Sequence, residues 1–261
     1  MEFYSLLFQN FETNLLVFAR VLGIFAFNPI LSRKNIPTIV KVGCCLLITI
    51  ITVAVLQPEA VDSSGPAGVY LLMLLREGFI GAVLGFITDM FFFSVQTSGE
   101  IMDMQAGLGM AKVFDPETKV QMSVIGSFIS FMMYLYFFVT NCHMTYIRLF
   151  VDSFNIIPLG VGGFNSQLGW ILVEYFSVVL TLVIKLAMPI IVSQMIVQFC
   201  VGVLMKSVPQ IQIMVVNIQI KVGFGFIMLY IIAVPMAAFI DKYMGIWLET
   251  LEGVIPLIPA Q

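Results

Sequence analysis

GEIMDMQAGLGMAKVFDPETKVQMS, residues 99–123, follows one long apolar run and leads into another, which makes it a connection between helices. Connections are normally polar, because backbone without an internal partner has to meet water. This one has a greasy middle. Ala106 to Phe114 carries a single charge, Lys112, among Gly107, Leu108, Gly109, Met110, Val113 and Phe114. The two glycines reach backbone angles closed to other residues, so the segment can fold tightly or rearrange. Asp115-Pro116 then has the form of a helix start, with a carboxylate over free amides and proline in the first turn. An apolar, glycine-hinged loop between membrane-grade helices must rest on something other than bulk water. Two environments satisfy it: a closed pore that the loop helps to close, or the flanks of neighbouring helices.

The rest of the chain supplies those helices. Of 261 residues, 60% are hydrophobic and 10% charged, and the mean hydropathy is +1.05. A soluble domain carries about a quarter charged residues. The composition is that of a polytopic, all-α membrane protein with a single integral membrane domain over 1–261. A net charge of −3 without any basic cluster speaks against nucleic acid as a partner. The N-terminus carries Glu2 and Glu12 and no basic stretch, unlike a cleaved signal peptide. Cys44, Cys45, Cys142 and Cys200 lie in apolar runs without metal spacing and read as small buried hydrophobes. With His143 as the only histidine, a multi-histidine metal site is excluded.

Six apolar stretches stand out, at about 11–31, 39–57, 67–98, 122–151, 168–206 and 213–240. One pass through hydrocarbon takes about 20 residues. The third and fifth are too long for one upright span and must tilt, kink or extend beyond the bilayer. Pro189 removes a backbone hydrogen bond near the middle of the fifth, where a kink is expected. If every stretch crosses, the connections place five Lys or Arg on one side and one on the other. The positive-inside rule makes the basic side cytoplasmic. Both termini then face outward, and Ala106–Phe114 is reached from the cytoplasmic half.

Glu12, Arg20, Arg76, Glu77, Asp89, Arg148, Glu174, Lys185 and Lys221 all fall inside apolar stretches. Charges in hydrocarbon are costly and face protein or water. Either a polar path runs through the protein, or the helices are buried against other subunits, partly outside the bilayer. Gly78, Gly81 and Gly85 form a small-residue ridge, the last two in GxxxG spacing, which lets helix backbones approach closely.

Chemical motifs are missing. There is no HExxH, CxxC or Walker-type GxxxxGK[ST]. Asp89 and Asp103 suggest an intramembrane aspartyl protease, but GLGM at 107–110 lacks the acid of a GxGD element. No enzyme, cofactor or catalytic residue is expected. Glu100 and Asp103, three apart, share a helical face with Gly107 and are either a solvated helix end or a functional acid pair. Met102, Met104, Met110 and Met122 flank the glycines, and methionine can seal around objects of varying shape. Farther on, Lys206-Ser207-Val208-Pro209-Gln210 is a turn between two apolar helices. Gln194, Gln198, Gln210, Gln212, Asn217 and Gln219 stud this hairpin. Such amides bond across to neighbouring helices, each worth about 0.6–2 kcal/mol. Lys221, among them, is placed to meet an acid on a partner or to line a wet cavity.

Four blocks together, FARVLGIFAFNPIL (18–31), the turn RKNIP (33–37), GEIMDMQAGLGMAKVFDP (99–116) and VPQIQIMVVNIQIKVGFG (208–225), resemble the FliR family of type III export-gate proteins. The Asn-Ile-Pro turn and Pro-Gln hairpin resemble its flagellar branch, although family hairpins often read PQMN where this one reads PQIQ. The resemblance implies kinked helical hairpins built into a helical hetero-oligomeric gate with FliP-like and FliQ-like subunits. An FlhB-like protein would sit at the cytoplasmic entrance, and unfolded polypeptides would pass through. It implies a place in the bacterial inner membrane, in contact with lipid, at the flagellar basal body. About 1–165 would be FliP-like and 166–261 FliQ-like, with the hairpin at 185–226. The channel plug would be Ala106–Phe114, with Glu100 and Asp103 as its lead-in, Asp115-Pro116 as the following cap, and Lys206, Pro209, Gln210 and Lys221 on the partner-facing hairpin. A small-molecule or ion transporter is the competing class, resting on Asp89, Lys185 and Lys221; it lacks the internal duplication common among transporters.

Overall fold

The computed structural model describes residues 11–29, 36–58, 61, 66–109, 123–160, 163, 165–207 and 213–259. Seven α-helices occur among them: α1 Phe11–Ala26, α2 Thr38–Leu56, α3 Ala67–Gln105, α4 Val124–Val139, α5 Cys142–Ile156, α6 Leu168–Ser207 and α7 Ile213–Val254, followed by a short 3-10 turn at Ile255–Leu257. No β-strand is found among the described residues. The protein is an all-α membrane protein. Four helices, α2, α3, α6 and α7, are long and apolar enough to cross a bilayer, or five spans if α4 and α5 count as one broken pair. Among the described residues, the count of six spans expected from the connections is therefore not confirmed.

The fourth apolar stretch breaks because of its one polar dipeptide. Asn141 takes φ 59°, a left-handed angle that asparagine tolerates better than most residues. The Thr140 amide still bonds back to Tyr136, but the next amide closes on Phe138. The chain turns 70° between α4 and α5. Pro189, by contrast, lies inside α6 without interrupting it. The thiols are all free, and Cys200 is exposed on α6 rather than buried.

The chain forms two compact units, and α3, α6 and α7 each contribute a segment to both. The first comprises Met1–Phe91, His143–Tyr175 and Trp247–Gln261. There the glycine ridge of α3 meets α1. A β-carbon on Gly81 would overlap the Arg20 backbone, and one on Gly85 would come within 2.7 Å of the Ile24 carbonyl. A β-carbon on Gly23 of α1 would overlap the Gly78 carbonyl and come within 2.8 Å of the Ala82 amide. The GxxxG spacing thus joins two helices of the same chain.

That packing buries a charge cluster. Arg20 and Glu77 are fully buried and paired, Nη2 to Oε2, at 2.6 Å. Arg20 also donates to the carbonyls of Ser153 and Ile157 at 3.2 and 3.0 Å. Its guanidinium lies 4.3 Å over the Phe154 ring. Glu77 accepts from the Gly160 amide at 3.2 Å. Two of the charges embedded in the apolar runs therefore neutralise each other and fasten α1, α3 and the end of α5 together. Trp247 of α7 is completely buried in this unit, its ring 5.4 Å from that of Tyr146.

The second unit comprises Phe92–Cys142 and Phe176–Ile246. Its core holds Phe92, stacked on Tyr134 at 5.4 Å and edge-on to Phe137 at 5.8 Å. Ser94 and Tyr243 share a hydrogen bond, and the Tyr136 hydroxyl donates to Asp241. A second close approach joins α3 to α4, where a β-carbon on Gly99 would overlap the backbone of Gly126.

Candidate functional site

The quoted stretch divides at Ala106. Residues 99–105 are not part of the connection; they are the last turns of α3. Met102 within them is wholly buried, and Met104 is 75% exposed. Gly107 then leaves the helix with φ +81°, the left-handed conformation that ends helices at glycine. It does not continue the face carrying Glu100 and Asp103. The amides of Gly107 and Gly109 return to the carbonyls of Met104 and Asp103, at 3.3 Å each. Gly107, Leu108 and Gly109 are thus placed at the root of the loop. Met110, Val113, Phe114, Asp115 and Pro116 lie outside the described residues.

Asp103 is not solvated, and among the described residues it meets backbone amides rather than a base. It is 2% exposed. Its two oxygens accept from the amides of Val124 and Ile125 at 2.7 and 3.1 Å. These are free donors of the first turn of α4, which no residue within that helix can satisfy. Ser123 caps the same turn, its Oγ accepting from the Gly126 amide at 2.8 Å. A carboxylate at the positive end of a helix is also favoured by the helix dipole. Asp103 thereby holds together the two ends of the loop that runs from α3 to α4. Among the described residues Glu100 meets the Gln96 amide, at a long 3.4 Å.

The loop root rests on the hairpin helices. A β-carbon on Gly107 would lie 3.6 Å from Lys221 Cβ and 3.8 Å from Val222 Cγ2. Ala106, 1% exposed, sits in the notch of Gly225, where a β-carbon would come within 2.9 Å of the Ala106 methyl. On α6, Gln194 donates to the Lys221 carbonyl at 3.0 Å, and one turn later Gln198 accepts from Lys221 Nζ at 2.7 Å. Among the described residues Lys221 therefore meets a neutral amide rather than an acid. Lys206 is exposed near the end of α6; Pro209 and Gln210 lie outside the described residues. Among the described residues no group of three His, Cys, Asp or Glu could hold a metal ion.

The long apolar helices, the glycine-hinged loop and the amide-studded hairpin accompany a sequence match to the model of the bacterial export proteins, family 1, over residues 11–246. The chain belongs to this family. Among the relatives, the flagellar biosynthetic protein FliR of Bacillus subtilis is 25% identical over 252 residues, 95% of this chain and 96% of its own. FliR of Escherichia coli is 28% identical, over 92% of this chain and 91% of its own. The Yop proteins translocation protein T of Yersinia pestis is 23% identical, over 94% and 95%. Family membership accounts for the membrane-grade helices and does not favour the small-molecule transporter alternative.

Two features of the site were not foreseen from the sequence. The capping role of Asp103 depends on amides 21 residues away. Gly225 stood in the quoted VGFG run, but nothing local distinguishes it from Gly223, which faces open space.

Proposed function

We propose that this chain is a subunit of the flagellar type III protein export gate, and that its glycine loop helps to keep the gate closed. The observation that carries the gate reading is likeness along nearly the whole chain to proteins named for flagellar biosynthesis and for Yop translocation. A gate subunit also explains the exposed apolar surface. Of the most apolar 18-residue stretch of each helix, 33% is buried in α6 and 17% in α7. Met195, Phe199, Tyr230 and Val234 are among the large side chains left exposed there.

In this reading FliP-like and FliQ-like subunits cover those faces, and an FlhB-like protein sits at the cytoplasmic entrance. The assembly stands in the bacterial inner membrane at the flagellar basal body and passes unfolded polypeptides. About 1–165 takes the FliP-like part and 166–261 the FliQ-like part. The loop 106–114 is the plug. Its apolar side chains exclude ions at rest, Gly107 and Gly109 let it swing aside, and methionines fit around the moving chain.

The test is conductance of the assembled gate. Deleting 106–114, or replacing Met110 and Phe114 by Gly, should make membranes leak ions while the complex still forms. Unchanged conductance in an assembled gate ends the plug assignment. Recovery of the chain only by itself or as a homo-oligomer, without other proteins in fixed ratio, ends the gate assignment.

A further inference from the structure

We propose that Gln194, Lys221 and Gly225 form a seat that fixes the resting position of the loop root, so that the hairpin half of the chain controls the plug. The inference rests on the plug reading above and adds the residues that hold the plug in place. Three observations converge on one short stretch of α7. Ala106 packs into the space that the absent side chain of Gly225 leaves, with the Gln194 amide beside it, and Gly107 makes its left-handed turn against Lys221 and Val222. Gln194 and Gln198, one turn apart on α6, grip the carbonyl and the ammonium of Lys221. The α6–α7 pairing is therefore locked at the level where the loop leaves α3.

The consequence is mechanical. A glycine hinge transmits little force unless the residue before it is held. Ala106 is held by a rigid methyl-to-backbone fit rather than by a flexible side chain, so it cannot adapt to a small displacement. A shift of α7 along or around its axis carries Lys221 and Gly225 with it and moves the loop root. Partners that dock on the exposed outer faces of α6 and α7 thus have a route to the plug through the chain itself.

The seat is tested in the assembled gate with Gly225→Ala. The new methyl would stand 2.9 Å from that of Ala106, closer than real β-carbons pack, so the root must move. Ion conductance should rise toward that of the 106–114 deletion, with the complex still recovered intact. Gly223→Ala makes the same change in the same helix where a β-carbon meets nothing within 4 Å, and should stay tight. Ala106→Gly combined with Gly225→Ala removes the 2.9 Å clash, leaves the 3.3 Å approach to the end of the flexible Gln194 side chain, and should restore tightness. If the deletion leaks and Gly225→Ala does not, the seat is overturned and the plug stands. If Gly225→Ala leaks but Ala106→Gly fails to restore it, the contact is not the cause and the seat is again overturned. If the deletion itself is tight, the plug reading fails first.

Discussion

Arg20 and Lys221 are both basic residues set in apolar helices, and the protein treats them in opposite ways. Arg20 is fully buried against an equally buried Glu77, and it bonds two backbone carbonyls besides. Lys221 is only partly buried and bonds Gln198, an exposed neutral amide. The surroundings differ in the same sense. In the most apolar stretch of α3, 61% is buried within the chain, against 17% for α7. Where charges cancel internally, the chain has completed its own packing and forms a scaffold. Where a charge and a wide apolar face are left to the outside, the proposed gate would complete the packing with other chains.

The contrast breaks most easily at the scaffold. Removing one member of a buried pair costs about 3–5 kcal/mol, and among the described residues Arg20→Ala leaves Glu77 the looser approach of Arg76 at 3.7 Å and the Gly160 amide. Arg20→Ala should therefore lower the thermal midpoint of the full chain in mild detergent more than any other change considered. Replacing both partners, as Arg20→Met with Glu77→Leu, removes the stranded charge and should recover part of the loss. Recovery stays incomplete, because the Ser153 and Ile157 carbonyls and the Gly160 amide lose their partners too. A midpoint for Arg20→Ala equal to that of a surface substitution would show that the cluster is not what holds the scaffold.

A smaller effect is expected at Asp103. Losing a capping side chain costs about 0.5–2 kcal/mol. Asp103→Ala should raise hydrogen exchange at the amides of Val124 and Ile125, the first turn of α4, and leave the exchange of α1 unchanged. Asp103→Asn keeps one acceptor and should fall between. Equal exchange in all three proteins would mean that the cap does not hold the base of the loop.

Parts of this architecture were plain in the sequence for physical reasons, and parts were not. The glycine ridge of α3 announced a close helix contact because small residues four apart permit little else, and the contact exists with α1. The two overlong apolar runs became single helices of 39 and 40 residues, the second running on through Pro189. The helix end at Gly107 was legible because a glycine followed closely by another marks a helix stop; Met110 to Phe114 lie outside the described residues. Asp103 was not: a carboxylate three residues from another looks like an acid pair until its amide partners, in a different helix, come into view. Arg20 and Glu77 were both noted as embedded charges, but 57 residues separate them and no spacing rule joins them. The break at Thr140-Asn141 was hidden by the apolar residues on either side, which hydropathy averages over.

Lys221 gives the smallest effect on the chain and the sharpest test of the comparison. Substitutions outside a buried network usually change stability by no more than about 0.5 kcal/mol. Lys221→Met should therefore leave the thermal midpoint of the isolated chain nearly unmoved, the long apolar side chain still covering the surface beneath Gly107. If the outward-facing charge is met by an acid of another subunit, the same substitution should reduce the amount of partner recovered with the chain, and Lys221→Arg should retain it. Loss of partners without loss of protomer stability is the opposite of the pattern expected at Arg20, where the protomer itself fails. Should Lys221→Met destabilise the protomer as far as Arg20→Ala, the two basic residues do one kind of work, and the division into a closed scaffold and an open hairpin does not hold.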